Sequence, residues 1–350
     1  SLMVVVTALS AIPATILMRK IGRRLGSSMA SLSAASAVLI GAYALHIQSF
    51  GFFVLAAALF GINAAFSQQY RYAAAESVDQ KFVSRAISLI LLGAIGGAIL
   101  GPELVTRGRY WVEGAPYAGS LISLSVLFGI QSLLLMSLRA FHVQDDGDSE
   151  VNVRPLKTLL KQRVFIMAML GGTVAYGAMT FIMTATPLSM HVVDGYSMEA
   201  TANVIRSHVL AMYIPSLLSG FLIERFGLSK IMMMGVLGLF LASIAGLSGQ
   251  SIFSYWIGLV LLGIGWNFLY VGSTTMLTYT YKPNERFKAQ GINEFCVFGV
   301  SALGSLLAGT IMYLYGWYTL VLIPIPFLIM IAVGLRMTKN ETKILIRAKI

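Results

Sequence analysis

RKIGRRLG, residues 19–26, carries four cations directly after a run, residues 1–18, that has no charged side chain. GFLIERFGLSK, residues 220–230, closes a second apolar run, and its Gly227 follows Gly22 by 205 residues. Short charged turns that end apolar runs of helix length are typical of a chain that crosses a lipid bilayer several times.

The composition also indicates a membrane protein. The chain has 350 residues, of which 57% are hydrophobic and only 11% are charged, whereas soluble domains average about 25% charged residues. The net charge of +11 does not indicate nucleic-acid binding, because the cations lie in short clusters between apolar runs and not along one solvated face. The single cysteine, Cys296, excludes a disulfide within the chain.

A bilayer core about 30 Å thick requires roughly 20 apolar helical residues. We predict eleven such helices, so the fold class is an all-α polytopic membrane protein. The predicted runs are 1–18, 27–47, 50–71, 85–106, 116–138, 164–187, 203–223, 229–248, 252–279, 288–313 and 317–337.

The distribution of cations predicts the orientation of these helices. If the loops alternate between two sides, one side receives 22 of the 25 Lys and Arg residues, and the other receives only Arg107 and Arg109. Arg206 lies at the start of the seventh run. Cytoplasmic loops collect Lys and Arg, so we predict that the cation-rich side and the C-terminus are cytoplasmic.

The two halves of the chain resemble each other. VDQKFVSRAIS, residues 78–88, aligns with PNERFKAQGIN, residues 283–293, at the offset that relates Gly22 to Gly227. We therefore predict two homologous helical bundles with a polar linker that contains a short amphipathic helix. The predicted divisions are a first bundle (1–139), the linker (140–163), a second bundle (164–337) and a basic cytoplasmic tail (338–350).

These turns resemble the loop signature of the major facilitator superfamily, G-x-x-x-D-R/K-x-G-R/K-R/K. In the first copy Thr15 and Arg19 replace the glycine and the acid of the signature. A further family signature, G-x-x-x-G-P, is present in the fourth run. The matching residues are Gly220, Glu224, Arg225 and Gly227 in the second loop, Lys20, Gly22, Arg23 and Arg24 in the first, and Gly97, Gly101 and Pro102, with Gly93 one turn earlier, in the fourth run.

The resemblance implies two six-helix bundles related by a pseudo-twofold axis, so we expect one further helix before residue 1. It implies a monomeric secondary transporter in the inner membrane, which moves a small organic solute by alternating access with protons as the coupling ion. The G-x-x-x-G-P signature in the fourth run belongs to the fifth helix of the family, where it is common in exporters. This fifth-helix signature is only partly present here, and it favours export. An importer of a nutrient or vitamin-like compound and a non-transporting receptor remain alternatives.

In this family the loop acid meets the start of a helix from the opposite half, where a helix dipole favours an anion. We therefore expect Glu224 to meet Arg85. In the first loop Arg19 stands in place of the acid, and we expect a reversed pairing of Arg19 or Lys20 with Glu294 or Glu285. The glycines at 93, 97 and 101 share one helix face and predict a close helix crossing.

Polar side chains within apolar helices indicate a solute pathway, although Ser and Thr also join neighbouring helices. Tyrosine and tryptophan rings could stack on a flat substrate. The predicted pathway residues are Asn63, Ser67, Gln68, Tyr176, Thr180, Trp266, Asn267 and Tyr270.

Four residues could take part in proton coupling: Glu103, Arg206, His208 and Glu294. A buried carboxyl group titrates closer to neutral pH. Glu103 could instead accept a hydrogen bond from Arg107, and Arg206 and His208 could be interfacial side chains. The chain has no HExxH pair and no phosphate-binding Gly-Lys-Ser/Thr loop, so we predict neither an enzyme nor a bound cofactor or metal.

Overall fold

The computed structural model describes residues 1–138 and 154–349, and every regular element within those ranges is helical, as predicted. The α-helices are α1 (Leu2–Ile21), α2 (Arg23–His46), α3 (Phe50–Ser67), α4 (Tyr70–Glu76), α5 (Val83–Gly108), α6 (Ala118–Ser137), α7 (Leu156–Leu159), α8 (Arg163–Pro187), α9 (Met198–Tyr213), α10 (Ser216–Phe226), α11 (Leu228–Leu247), α12 (Ile252–Thr278), α13 (Arg286–Leu322) and α14 (Pro324–Arg347). The remaining elements are the 3-10 turns Gln80–Phe82 and Pro283–Glu285 and the π-helical turn Leu188–Val193.

The eleven predicted membrane crossings are confirmed. Within the described residues, ten helical stretches are long and apolar enough to cross a membrane. The last of these, Pro283–Arg347, has 65 residues, about three times the length that a bilayer requires. Its helix is interrupted at Gly316, whose φ of 75° and ψ of 178° are not helical, so this stretch provides two crossings.

The two charged turns have the same backbone structure. Gly22, between α1 and α2, has φ 85° and ψ 153°, and Gly227, between α10 and α11, has φ 93° and ψ 145°. This conformation is open essentially to glycine alone, because it lacks a Cβ. The correspondence supports the internal duplication that the sequence offset predicted.

The two bundles meet along two pairs of helices. In the first bundle α2 packs against α3 and α6, and in the second α12 packs against α8, α9 and α11. Between the bundles α1 packs against α13, and α5 packs against α10. At the first contact a Cβ on Gly291 would lie 2.5 Å from the Thr15 hydroxyl, and at the second the Ser88 and Ser219 hydroxyls are 3.0 Å apart.

The linker helix is shorter than predicted. The acidic part of the linker, residues 142–150, lies outside the described residues. The following segment forms only α7, a single turn with Leu159 fully buried and Leu160 exposed. Burial of one leucine against the protein anchors the turn, and α8 begins at Arg163, which leaves no length for a second turn.

The glycines of α5 do not form the predicted close helix crossing. A Cβ built on Gly93, Gly97 or Gly101 would have no described residue outside α5 within 4 Å. Pro102 lies within the same helix, where it is exposed. A spacing of four residues puts these glycines on one face of α5 whether or not another helix packs there. The spacing alone therefore does not predict a helix crossing. The close approach of α5 is instead at its first residues, Ser84 and Arg85, against Gly220 of α10.

Candidate functional site

A buried ion pair joins the two bundles. Arg71, on α4, lies with its Nη2 2.5 Å from Oε1 of Glu294 on α13, and the side chains are only 3% and 1% exposed. Gln68 accepts from Arg71 Nη1 at 2.7 Å. Tyr72 and Asn293 donate to the same carboxylate oxygen at 2.9 and 2.8 Å. A buried ion pair is tolerated only when such hydrogen bonds offset the loss of hydration.

One carboxylate oxygen of this pair is left without a partner. Oε2 of Glu294 has no hydrogen-bond partner among the described residues. A buried acceptor without a partner costs about 1–3 kcal/mol, so its retention indicates a functional role for the atom. A proton or a polar group of a solute could bind there.

An aromatic cluster adjoins the ion pair. The rings of Trp266 and Tyr270 stack with centroids 4.9 Å apart, and Tyr176 lies edge-on to both at 5.5 and 5.1 Å. Phe298 and Tyr213 extend the cluster on either side. The guanidinium of Arg71 lies 4.7 Å from the centre of the Tyr270 ring. Charge and aromatic surface therefore form one continuous site at the interface of the bundles.

Several buried polar atoms in this region have no hydrogen-bond partner among the described residues. They include two donors on the stacked rings. These atoms are Trp266 Nε1, Tyr270 OH and, one turn before Tyr176 on α8, Thr173 Oγ1; Asn63 Oδ1, on α3 of the first bundle, also lacks a partner among the described residues. Buried polar groups in native proteins are nearly always paired, so this concentration indicates a place where a polar ligand binds.

The other predicted pathway residues have more local roles. The Ser67 hydroxyl donates to the backbone oxygen of Asn63 at 3.2 Å. The Thr180 hydroxyl lies 3.5 Å from the Ser301 hydroxyl, which is a long hydrogen bond. Asn267 is fully buried, and its amide donates to Met212 O and Ser216 Oγ at 2.7 and 2.6 Å. Asn267 therefore joins α12 to α9 and α10.

Of the four proton-coupling candidates, only Glu294 lies in the buried site. Glu103 is exposed and pairs with Arg107 at 3.1 Å, which is the alternative stated above. Arg206 is exposed and donates to Asn203. His208 is not interfacial: it is buried, with Nδ1 2.8 Å from Leu259 O, because a polar contact to α12 draws it into the second bundle.

The predicted pairing of Glu224 with Arg85 is confirmed. Ser84 also lies within hydrogen-bonding distance of Glu224, at 3.4 Å. The helices come this close because Gly220 has no side chain: a Cβ there would lie 2.7 Å from Arg85 Cα and 3.0 Å from Ser84 O. We call these four residues the inner gate, since they join the two bundles at the second charged turn.

A second network joins the bundles at the opposite edge. Arg23 Nη2 donates to Glu76 and to Gln290, both at 2.8 Å, and Gln290 also donates to Glu76 at 2.8 Å. Arg286 approaches the same Glu76 carboxylate at 3.9 Å. Arg23 of the first charged turn thus reaches the opposite bundle.

The predicted reversed pairing was wrong about its partners. Glu294 pairs with Arg71, and Glu285 pairs with Arg154 at 2.6 Å; within the described residues, these are the ion pairs of the two carboxylates. Both carboxylates are buried, and their cations come from α4 and from the residues before α7. Elsewhere in the charged turns, Arg24 donates to Leu138 O at 3.2 Å, and the guanidinium of Arg225 lies 5.7 Å from the centre of the Phe226 ring.

Sequence reasoning missed Arg71, Tyr72 and Asn293. Arg71 was counted as a cytoplasmic loop cation, although SQQYRY, residues 67–72, continues the third predicted run. In the structure Phe50–Glu76 forms one membrane-length stretch, and Arg71 is buried within its last turns. The available signal for a buried arginine was the run of glutamines and tyrosines around it. Their amide and phenol groups can hydrogen-bond a buried guanidinium, which an arginine in a solvated loop does not require.

The chain is similar to membrane transporters in both sequence and structure. A model described as the Major Facilitator Superfamily matches residues 202–346. The Riboflavin transporter RfnT of Brucella anthropi is 38% identical over 333 residues, which is 94% of this chain and 83% of that protein. The Uncharacterized MFS-type transporter YdeG of Bacillus subtilis is 26% identical over 314 residues, 84% of this chain and 72% of that protein.

Solved structures show the same fold. The E. coli fucose:proton symporter FucP superimposes with a TM-score of 0.71 at 18% identity, covering 96% of this chain and 90% of that one. The human organic anion transporter MFSD10 gives a TM-score of 0.73 at 15% identity, covering 95% and 82%.

Proposed function

This chain belongs to the major facilitator superfamily and is a multi-pass membrane transporter, not an enzyme, and we propose that it takes up riboflavin or a similar flat, vitamin-like compound. The similarity to a riboflavin transporter favours this alternative over the export that the fifth-helix signature suggested. The observation that carries the proposal is the buried cluster of Trp266, Tyr270 and Tyr176, with unpartnered polar atoms at its edges.

The chemistry of the cluster suits a planar heteroaromatic solute. Trp266 and Tyr270 are almost fully buried and stack on each other, while Tyr176 and Tyr213 are half-buried beside them. A planar ligand would replace one of these ring contacts with its own, and such stacking contributes about 1–3 kcal/mol per base in other proteins. The Trp266 N–H and Tyr270 hydroxyl would then hydrogen-bond to carbonyl or nitrogen atoms at the ligand's edge.

We expect Trp266→Ala to reduce riboflavin uptake about tenfold, because loss of stacking worth about 1.4 kcal/mol changes binding by that factor. Tyr270→Phe keeps the ring and removes the hydroxyl, so its loss should be smaller. Uptake is measured by flavin fluorescence in cells that neither synthesise nor import riboflavin. Trp111→Ala is the matched control, since Trp111 is 63% exposed outside the site. Absence of riboflavin uptake by the unmodified protein would refute the substrate assignment.

We also propose that uptake is coupled to protons through Glu294. Its carboxylate bridges the bundles through Arg71, and its second oxygen has no partner in the described residues. Protonation would neutralise the carboxylate, weaken the contact between the bundles and favour their separation at this end. The bundles would then expose the site alternately to the two sides of the membrane.

The orientation is part of the proposal. With the cation-rich turns in the cytoplasm of a bacterial inner membrane, a green fluorescent protein fused after the C-terminus should fluoresce, and alkaline phosphatase fused there should be inactive. A phosphatase inserted at Gly114, in the turn between α5 and α6, should be active. The reverse activities would contradict both the orientation and the cytoplasmic position of the inner gate.

A further inference from the structure

A cavity of about 520 Å³ lies outside the transport site, at the end of the second bundle that carries the linker. It is bounded by the last linker residues with the start of α8, by the loop after α12, and by the end of α14 with the residues that follow it. The lining residues are Arg154, Lys161, Gln162, Arg163, Val164, Tyr279, Thr280, Tyr281, Lys282, Glu341, Leu345 and Lys349.

Cations outnumber acids around this cavity. Five of the lining residues are Lys or Arg, and Glu341 is the one acid among them. Glu341 lies 3.4 Å from Arg163, in an exposed pair that contributes little. Arg154 binds both oxygens of the adjacent Glu285, each at 2.6 Å. Among the described residues, the two carboxylates therefore leave an excess of positive charge.

Lys349 is held at the cavity wall by two backbone oxygens. Its Nζ donates to the carbonyl oxygens of Thr278 and Tyr281 at 3.1 and 2.8 Å. Burial lowers the pKa of Lys349, and the nearby charge of Arg154 lowers it further. A cation held in this position is stabilised by an anion that enters the cavity, because the anion offsets both the lost hydration and the repulsion.

The shape and lining of the cavity identify the class of anion. Lysine ammonium groups act as point charges toward phosphate, and arginine adds directional donors. Val164 and Leu345 supply apolar surface next to these cations. Basic pockets between helices on the cytoplasmic side are suited to anionic headgroups. The volume exceeds that of one phosphate group, so the ligand has room for an organic substituent.

We propose that this cavity binds a phosphate-bearing anion, either the headgroup of an anionic phospholipid or a soluble phosphate ester, and that the bound anion joins the linker to the C-terminal segment. Lys161 and Lys349 approach the anion from these two segments. The site is independent of the aromatic cluster, so it stands whether or not riboflavin is the solute.

The test is thermal unfolding of the full chain, purified in a non-ionic detergent. We expect phosphatidylglycerol to raise Tm by several degrees, whereas phosphatidylcholine, which carries no net charge, should not. Pyrophosphate, added in a separate arm, distinguishes the sources: stabilisation by phosphatidylglycerol alone assigns the site to a lipid headgroup, and stabilisation by pyrophosphate as well assigns it to soluble phosphates.

Variants locate the effect. Lys161→Gln with Lys349→Gln should abolish the rise in Tm, and Lys161→Arg with Lys349→Arg should retain it. Lys230→Gln with Lys339→Gln is the matched control, because both lysines are exposed and lie outside the cavity. The proposal would be overturned by an unchanged rise in Tm in the Gln double variant. It would also be overturned if neither phosphatidylglycerol nor pyrophosphate raised the Tm of the unmodified protein. Since the readout is Tm, it does not depend on transport.

Discussion

Arg71→Gln is expected to abolish uptake and to destabilise the protein by about 3–5 kcal/mol, because it leaves the carboxylate of Glu294 buried without its cation. Tyr72 and Asn293 still donate to that carboxylate, but neither neutralises its charge. The loss of stability is measured by thermal unfolding in detergent, and the loss of transport by flavin uptake.

The double variant Arg71→Gln with Glu294→Gln separates charge from structure. It removes both charges, so most of the lost stability should return, while uptake should remain absent. Arg107→Gln is the control, since Arg107 and Glu103 form an exposed pair with side chains 77% and 59% accessible and should tolerate the change. A double variant no more stable than Arg71→Gln would show that the pair is not the source of the effect.

Glu294→Gln alone tests the coupling role of the same residue. The amide imitates a protonated carboxyl group, so the variant should exchange solute across the membrane at a substantial rate but should not accumulate it. An uncoupler should then lower uptake in the unmodified protein and leave the variant unchanged. Accumulation by Glu294→Gln that an uncoupler still abolishes would exclude this carboxyl group as the proton site.

The second large effect is expected at the inner gate. Gly220→Ala places a Cβ 2.7 Å from Arg85 Cα and 3.0 Å from Ser84 O, which are backbone atoms that cannot rotate away. The bundles can then no longer approach closely enough for Arg85 to pair with Glu224. We expect uptake to fall at least about tenfold, equivalent to about 1.4 kcal/mol in the equilibrium between closed and open forms.

Gly309→Ala is the matched control for the gate variant. It makes the same substitution in a membrane helix, but a Cβ at Gly309 has no other described residue within 4 Å, so uptake should be unchanged or slightly improved. Cysteine labelling from the cytoplasmic side, at a position introduced next to Glu224, should increase in Gly220→Ala. Equal uptake by the two alanine variants would show that closure at Gly220 does not limit transport.

The fold followed from the sequence because lipid constrains helices by length. Each crossing requires a long apolar run, and the eleven runs are found with ends shifted by a few residues. The ion pair of Arg85 and Glu224 followed from the local resemblance of the second charged turn, where the family pattern is nearly complete. The first turn departs from that pattern at Arg19, and there the predicted partners were wrong.

The candidate site was harder to predict because its members come from distant parts of the chain. Arg71 and Glu294 are separated by 223 positions, and no local pattern relates them. Trp266, Tyr270 and Tyr176 were predicted because they are polar or aromatic residues within apolar runs. The sequence did not show which side chains they contact in the folded protein. His208 is a similar case. Its position near the start of a predicted run suggested an interfacial side chain, and the sequence did not reveal its buried contact with α12.

The ion pairs between the bundles differ in their access to water, and this difference has a consequence for regulation. Arg85 and Glu224 are 36% and 24% exposed, whereas Arg71 and Glu294 are almost fully enclosed. Mobile ions screen charges that water reaches and have little effect on enclosed ones. A rise in ionic strength would therefore weaken the inner gate selectively. The salt content on that side of the membrane would change how readily this end of the bundles opens, while the enclosed pair of Arg71 and Glu294 keeps its strength.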